Sequence, residues 1–304
     1  MKNLILDLNN YDASLISELF GNNDSNIKLV EEFYDVKIQF EQGCLYCDDD
    51  SKLEVISNTF EKIIDLIENG DGIDSQDIIG ILNGNFVKKY ISNGFGSRKF
   101  YLRTQGQERL FEAFDNNVIT FAIGPAGTGK TFLAVVYAYN LLKKGNIKKI
   151  IISRPVVESG ESLGFLPGDL QEKVDPYLRP IYDSFDMLVG AENTAKMIEK
   201  GVLEIAPLAY MRGRTLNDAC IILDEGQNTT PMQMKMFITR LGFNSKMIIT
   251  GDITQIDLPP NKASGLIDVM KIVKDIEEIG IVRMHNNDVV RHPVVSKIID
   301  AYKN

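Results

Sequence analysis

Residues Gly124, Pro125, Ala126, Gly127, Thr128, Gly129, Lys130 and Thr131 fit the pattern G-x-x-x-x-G-K-[ST] without a mismatch. The glycines let backbone N–H groups turn inward around an anion. A helix starting near Lys130 adds the positive end of its dipole. Lys130 supplies a point charge for the β- and γ-phosphates of a nucleotide, and Thr131 offers a hydroxyl to Mg²⁺. Such a loop needs carboxylates opposite it. The stretch ACIILDEGQN, residues 219–228, provides them. Four apolar residues deliver Asp224 and Glu225 to the C-terminal end of a strand, where ligands of open α/β sheets sit. Asp224 is expected to hold magnesium through water, and Glu225 to polarise the attacking water as a base or orienting group.

A further strand ends in ITGDITQIDLPP. Asp252 and Gln255 are expected beside the terminal phosphate, where an amide can orient water or sense the phosphate. Gln107, shortly before the loop's own strand, is placed to read an adenine edge. Asn261-Lys262-Ala263-Ser264 lacks the acid of the guanine-reading N-K-x-D string, so ATP is favoured over GTP. The expected ligands are therefore ATP and Mg.

These residues must be carried by a sheet. From residue 105 onward, VITFAIG, KKIIISR, VLEIAP, CIILDE, KMIITGD and IGIVRM are short, rich in Ile and Val, and apolar on both faces. Helical stretches separate them, which predicts a parallel sheet sandwiched by helices. Residues 105–304 are read as this catalytic domain. Residues 1–70 read strand, helix, helix, strand, strand, helix, with GNND joining the first two helices. Ile56, Phe60, Ile63, Ile64 and Ile67 form one apolar stripe on the last helix. EQG between the second and third strands suits a tight hairpin. Residues 71–104 read as a linker. Its second part carries Lys88, Lys89, Arg98, Lys99 and Arg103 among Phe86, Tyr90, Phe95, Phe100 and Tyr101, with no acid in residues 84–104. Cations with aromatics are the parts of a single-strand nucleic-acid contact.

Of the net charge of −9, the first 83 residues hold 18 acids and 5 Lys/Arg, leaving the rest of the chain basic. The acidic balance therefore argues only against that first part as the main nucleic-acid contact. No apolar run reaches the length needed to span a bilayer, and the N-terminus does not read as a secretory signal. A cytoplasmic location without membrane attachment is the expectation. Cys44 and Cys47 lack a second metal-ligand pair, so they read as strand residues, and Cys220 reads as core. His285 and His292 read as capping or packing residues.

The β-α-α-β-β-α order of the first part resembles a KH module. Gly21-Asn22-Asn23-Asp24 stands where that family has Gly-x-x-Gly. Asp24 replaces the second Gly and adds negative charge. Two roles stand for this part: nucleic-acid contact, or docking and assembly.

The strings GPAGTGKT, SRPVVESGESLGFLPGDLQEKVDPYLRPIYD, YMRGRTLNDACIILDEGQNTTPMQMKMFITR, ITGDITQIDLPPNKASGL and DVVRHPVV together resemble the PhoH family over residues 100–304. That resemblance implies a cytoplasmic ATPase with a RecA-like core, similar to superfamily-one helicases. It also implies RNA-linked work, a ring of identical subunits and a neighbouring endoribonuclease. Gly226 stands where the family more often has Ala, a small-for-small difference expected to matter little. One such core lacks the second domain that supplies an arginine to the terminal phosphate in those helicases. A neighbouring subunit is expected to provide it. Arg291, at the start of HPVVSKIIDAY, is preferred over Arg179, Arg212 and Arg214, while Arg154 is placed to meet phosphate or nucleic acid. Two functions follow: an ATP-hydrolysing RNA remodeller, or a nucleotide-switched scaffold that does not move along RNA. A small-molecule kinase fits less well, because no arginine-rich lid is evident.

Overall fold

The computed structural model describes residues 3–70, 72–155 and 170–290, with 294, 295, 298 and 301. The chain divides into two units, each with its own apolar core. One draws on Met1–Lys88, Arg103–Gln105 and Val290–Asn304, the other on Lys89–Leu102 and Gly106–Val289.

In the first unit, β1 (Asn3–Asp7), α1 (Ala13–Phe20), α2 (Ser25–Tyr34), β2 (Ile38–Glu41), β3 (Cys44–Cys47) and α3 (Leu53–Glu68) follow the expected order. The sheet runs β1-β3-β2 with both pairs antiparallel. Gln42 and Gly43 both take positive φ, +50° and +79°, the two-residue turn whose twist suits a hairpin. Between α1 and α2, Asn23 and Asp24 sit at φ +54° and +59°. The stripe on α3 is buried as expected: Ile56, Phe60, Ile63 and Ile64 pack in one cluster with Leu8, Leu19 and Leu45. Cys47 is buried in β3 and Cys44 is half-buried.

The segment expected as a linker is instead ordered. It holds α4 (Ser75–Leu82), then a two-stranded ribbon of β4 (Phe86–Asn93) and β5 (Lys99–Thr104). Asp74 caps α4, accepting from the N–H groups of Gln76 and Asp77, while Asp77 accepts from the Asp74 N–H. Asp77 is fully buried and also accepts from Lys88, at 3.1 Å, and from Arg103. Arg103 bonds Asp74 at 2.7 Å as well. Buried charge is stable only when paired in this way. Lys89 meets Glu108 at 2.9 Å and Glu112 at 3.7 Å. Three of the five cations in this segment are thus held by acids, and Arg98 and Lys99 remain exposed on the ribbon. Tyr90 and Phe95 keep half or more of their surface in water.

The second unit continues with α5 (Gln105–Asn116), β6 (Ile119–Ile123), α6 (Lys130–Lys143), β7 (Lys149–Arg154), α7 (Leu170–Val189), α8 (Ala191–Glu199) and β8 (Leu203–Pro207). Then come β9 (Ala219–Leu223), α9 (Pro231–Ile238), β10 (Lys246–Gly251), α10 (Gly265–Ile272) and β11 (Ile279–Arg283). The six strands form one parallel sheet in the order β11-β6-β10-β9-β7-β8. Side chains alternate between its faces. Ala122, Ile150, Ile152, Cys220, Ile222 and Ile248 pack with α6 and α7 on one face. Phe121, Ile151, Ile221, Leu223, Met247 and Ile249 pack with α9 and α10 on the other. This is the expected α/β layering. In register, Gly251 lies opposite Ile123, Ile249 opposite Leu223, and Leu223 opposite Ser153. Four strands therefore end along one edge of the sheet, and β10 stands between the strand of the phosphate loop and the strand of the acids.

Candidate nucleotide site

The turn from β6 into α6 carries the glycine-rich loop. Gly127 and Gly129 adopt φ +87° and +83°, a region open to glycine at little cost. Thr128 braces the turn by donating from Oγ1 to the Pro125 carbonyl at 3.0 Å. Lys130 is the first residue of α6 and is mostly buried. Its Nζ donates to the carbonyls of Gly124 and Pro125 at 2.7 and 2.9 Å, which holds the ammonium inside the curve of the loop. Gln107 is buried rather than presented at the surface. Its Nε2 donates to the Thr128 carbonyl at 3.1 Å, so its amide supports the loop from beneath.

Asp224 follows β9 and is almost fully buried. Its Oδ1 accepts two hydroxyls, Thr131 Oγ1 at 2.6 Å and Thr250 Oγ1 at 2.7 Å. Its Oδ2 lies 3.2 Å from Arg154 Nη1. Glu225 takes a left-handed backbone, φ +54°, uncommon for this residue type. Arg154 Nη2 lies 3.5 Å from Glu225 Oε1, and Gln227 Nε2 donates to Glu225 Oε2 at 2.5 Å. The Gln227 amide also donates to the Gln255 carbonyl at 3.0 Å, and its oxygen accepts from the Asp252 N–H at 3.1 Å. One side chain thereby ties the end of β9 to the end of β10.

Asp252 is buried. Its Oδ1 accepts from the Thr254 N–H and hydroxyl, while Oδ2 has no hydrogen-bond partner among the described residues. Gln255 is exposed and its side chain borders the cleft. Lys130, Thr131, Asp224, Glu225, Asp252 and Gln255 all line one cleft of about 380 Å³, together with Pro180 and Ser184 of α7. That volume lies in the range of small-molecule sites.

The donors facing this cleft are a threonine hydroxyl and carboxylates, the hard oxygen ligands that magnesium takes. An ammonium and a helix N-terminus beside them match an anion. The residues present therefore fit a magnesium-bound polyphosphate. Thr131 and Asp224 would hold the metal, which supplies charge neutralisation on the phosphates.

Residues 99–303 match the family described as PhoH-like protein. The chain belongs to the PhoH-like family. A PhoH-like protein of Bacillus subtilis is 48% identical over 97% of this chain and 95% of its own length. The PhoH protein of Escherichia coli K12 is 45% identical over 66% of this chain and 57% of its own length. Among solved structures, a Sulfolobus solfataricus SWI2/SNF2 ATPase core in complex with dsDNA aligns at 16% identity and a TM-score of 0.39. It covers 66% of this chain and 47% of its own. The PhoH-like core is an α/β fold, a parallel six-stranded sheet flanked by helices, with β10 between the loop strand and the acid strand.

Within this PhoH-like site, Arg154 touches both acids and Gln227 joins Glu225 to Asp252, contacts the sequence does not announce. The Thr250 hydroxyl was missed as well. Its one signal in the sequence is a lone polar residue closing an apolar strand. Gly226 is more constrained than its small-for-small reading implies. A Cβ there would lie 2.8 Å from Ile249 Cγ2 and 3.2 Å from the Thr250 carbonyl, both in the packed sheet. Of the arginines considered for a shared site, Arg214 is paired bidentately with Glu204 at 2.5 and 2.7 Å. Arg179 lies 3.3 Å from Asp183 on an exposed helix face, and Arg212 is exposed. Arg291 and His292 lie outside the described residues. The His285 N–H donates to Asp288 Oδ2 at 2.9 Å, in a backbone capping arrangement. No helix among the described residues is long and apolar enough to cross a membrane.

Proposed function

We propose that this chain binds Mg-ATP in the cleft between the glycine-rich loop and Asp224, and hydrolyses it in the course of RNA metabolism in the cytoplasm. The observation carrying this is the convergence of Lys130, Thr131, Asp224 and Glu225 on one cleft at the C-terminal edge of a parallel sheet. Lys130 takes the terminal phosphates, Thr131 and Asp224 orient the metal, and Glu225 polarises water, with Gln255 beside it as the phosphate-sensing amide. Asp252 adds a buried carboxylate oxygen facing the same space. RNA is supported by the PhoH-like kinship and by Tyr90, Phe95, Arg98 and Lys99, which stand exposed on the ribbon. A ring of identical subunits, completed by an arginine such as Arg291 and working beside an endoribonuclease, belongs to the same reading.

Steady-state ATPase with and without single-stranded RNA tests it. Turnover stimulated at least about tenfold by RNA, and lost in Lys130→Ala, supports a remodeller. No turnover and no ATP binding by the native chain would overturn it. A second reading is favoured by one observation: Lys88, Lys89 and Arg103 are engaged by acids. That suits a nucleotide-switched scaffold whose acidic first unit docks a protein. Unchanged turnover with RNA, and partner binding gated by ATP, would select it.

A further inference from the structure

We propose that Arg154 is the positioning cation of the Asp224–Glu225 pair, and that it competes with the nucleotide's magnesium for Asp224 Oδ2. The inference rests on the nucleotide reading above. Arg154 closes β7, one strand beyond the acids, and its guanidinium spans both carboxylates, at 3.2 Å and 3.5 Å. It lines the same cleft as Lys130 and Thr131. Asp224 Oδ1 already accepts two hydroxyls, so Oδ2 is the oxygen left for a ligand. A guanidinium now rests on it.

A hard divalent cation orders oxygen around itself and repels a neighbouring positive charge. With a metal nucleotide bound, Arg154 would therefore give up Oδ2. The natural acceptor for its planar fork is the incoming terminal phosphate, which such a fork meets with two parallel hydrogen bonds. Arg154 thus holds two close acids together beforehand and becomes a phosphate contact from the same chain afterwards.

The test is binding of a fluorescent ATP analogue with magnesium titrated, alongside ATPase turnover, in native, Arg154→Gln and Arg154→Lys proteins. Removing the competitor in Arg154→Gln should lower the half-saturating magnesium concentration about threefold or more. Turnover should fall about tenfold or more. A merely structural ion pair, once broken, would leave the magnesium requirement unchanged or raise it, and that result overturns the proposal. Arg154→Lys keeps the charge without the fork, and should retain the native magnesium requirement while losing turnover. If Arg154→Gln does not fold, native turnover in Arg154→Lys still overturns the phosphate contact. Should the native protein and Lys130→Ala both fail to take up the analogue, the nucleotide reading itself falls. If only Lys130→Ala fails, the Arg154 result is decisive by itself.

Discussion

Glu225 is held on two sides, by Arg154 at one oxygen and by the Gln227 amide at the other. Replacing it by Gln keeps the shape but removes the charge that draws a proton from water. Glu225→Gln should bind nucleotide normally and lose turnover by about 10²–10⁴-fold, read by nucleotide titration and phosphate release. Gly226 makes a different prediction. A methyl group there meets a β-branched side chain in a packed sheet, so Gly226→Ala should cost about 1–3 kcal/mol in chemical denaturation. At this scale the sequence was a good guide to the loop and the acids, because a fixed spacing carries their chemistry. It was a poor guide to Gln227, to Thr250 and to the contacts of Arg154 with the acids, which depend on which strands lie side by side.

Strand adjacency is what the sequence withholds at the level of elements. The apolar runs announce six strands. Nothing local announces that β10 separates β6 from β9, since parallel neighbours are joined by long crossovers. Conversely, Asn, Gly and Asp crowd residues 69–77 and read locally as a linker, although Asp74 and Asp77 form a cap at the helix-start spacing. Caps should show in stability. Thr230 accepts from the Gln233 N–H at the start of α9, so Thr230→Ala should cost about 1 kcal/mol. The Glu204–Arg214 pair pins the segment after β8. Hydrogen bonding to Arg214 lowers the Glu204 carboxyl below its ordinary value of 4.5. A lowered acid stabilises the fold above the unfolded value, and that contribution vanishes as pH drops through the folded one. Glu204→Gln should therefore melt below the native protein at pH 7, by under about 1 kcal/mol for a part-exposed pair. The two should converge once pH has fallen below the range in which the folded carboxyl titrates.

For the whole chain, the apolar cluster of the first unit and the two that flank the second unit's sheet predict two melting transitions in calorimetry, one per unit. Mg-ATP should raise only the one belonging to the unit with the cleft, by about 2.7 kcal/mol of stabilisation at a hundredfold excess over Kd. Asp77→Ala should lower only the other, by about 3–5 kcal/mol, because Lys88 and Arg103 would lose their buried partner. A single transition moved by both changes would show that the units melt together.

The α6 rod has a practical use. Its first residue is the ammonium of the loop, and about 20 Å along the axis it ends at Lys143, followed by Lys144, Gly145 and Asn146 in open solvent. A dye attached at Lys144 would ride on the same rigid shaft as the phosphate grip. It could signal occupancy optically from the opposite end, without intruding on the chemistry it watches.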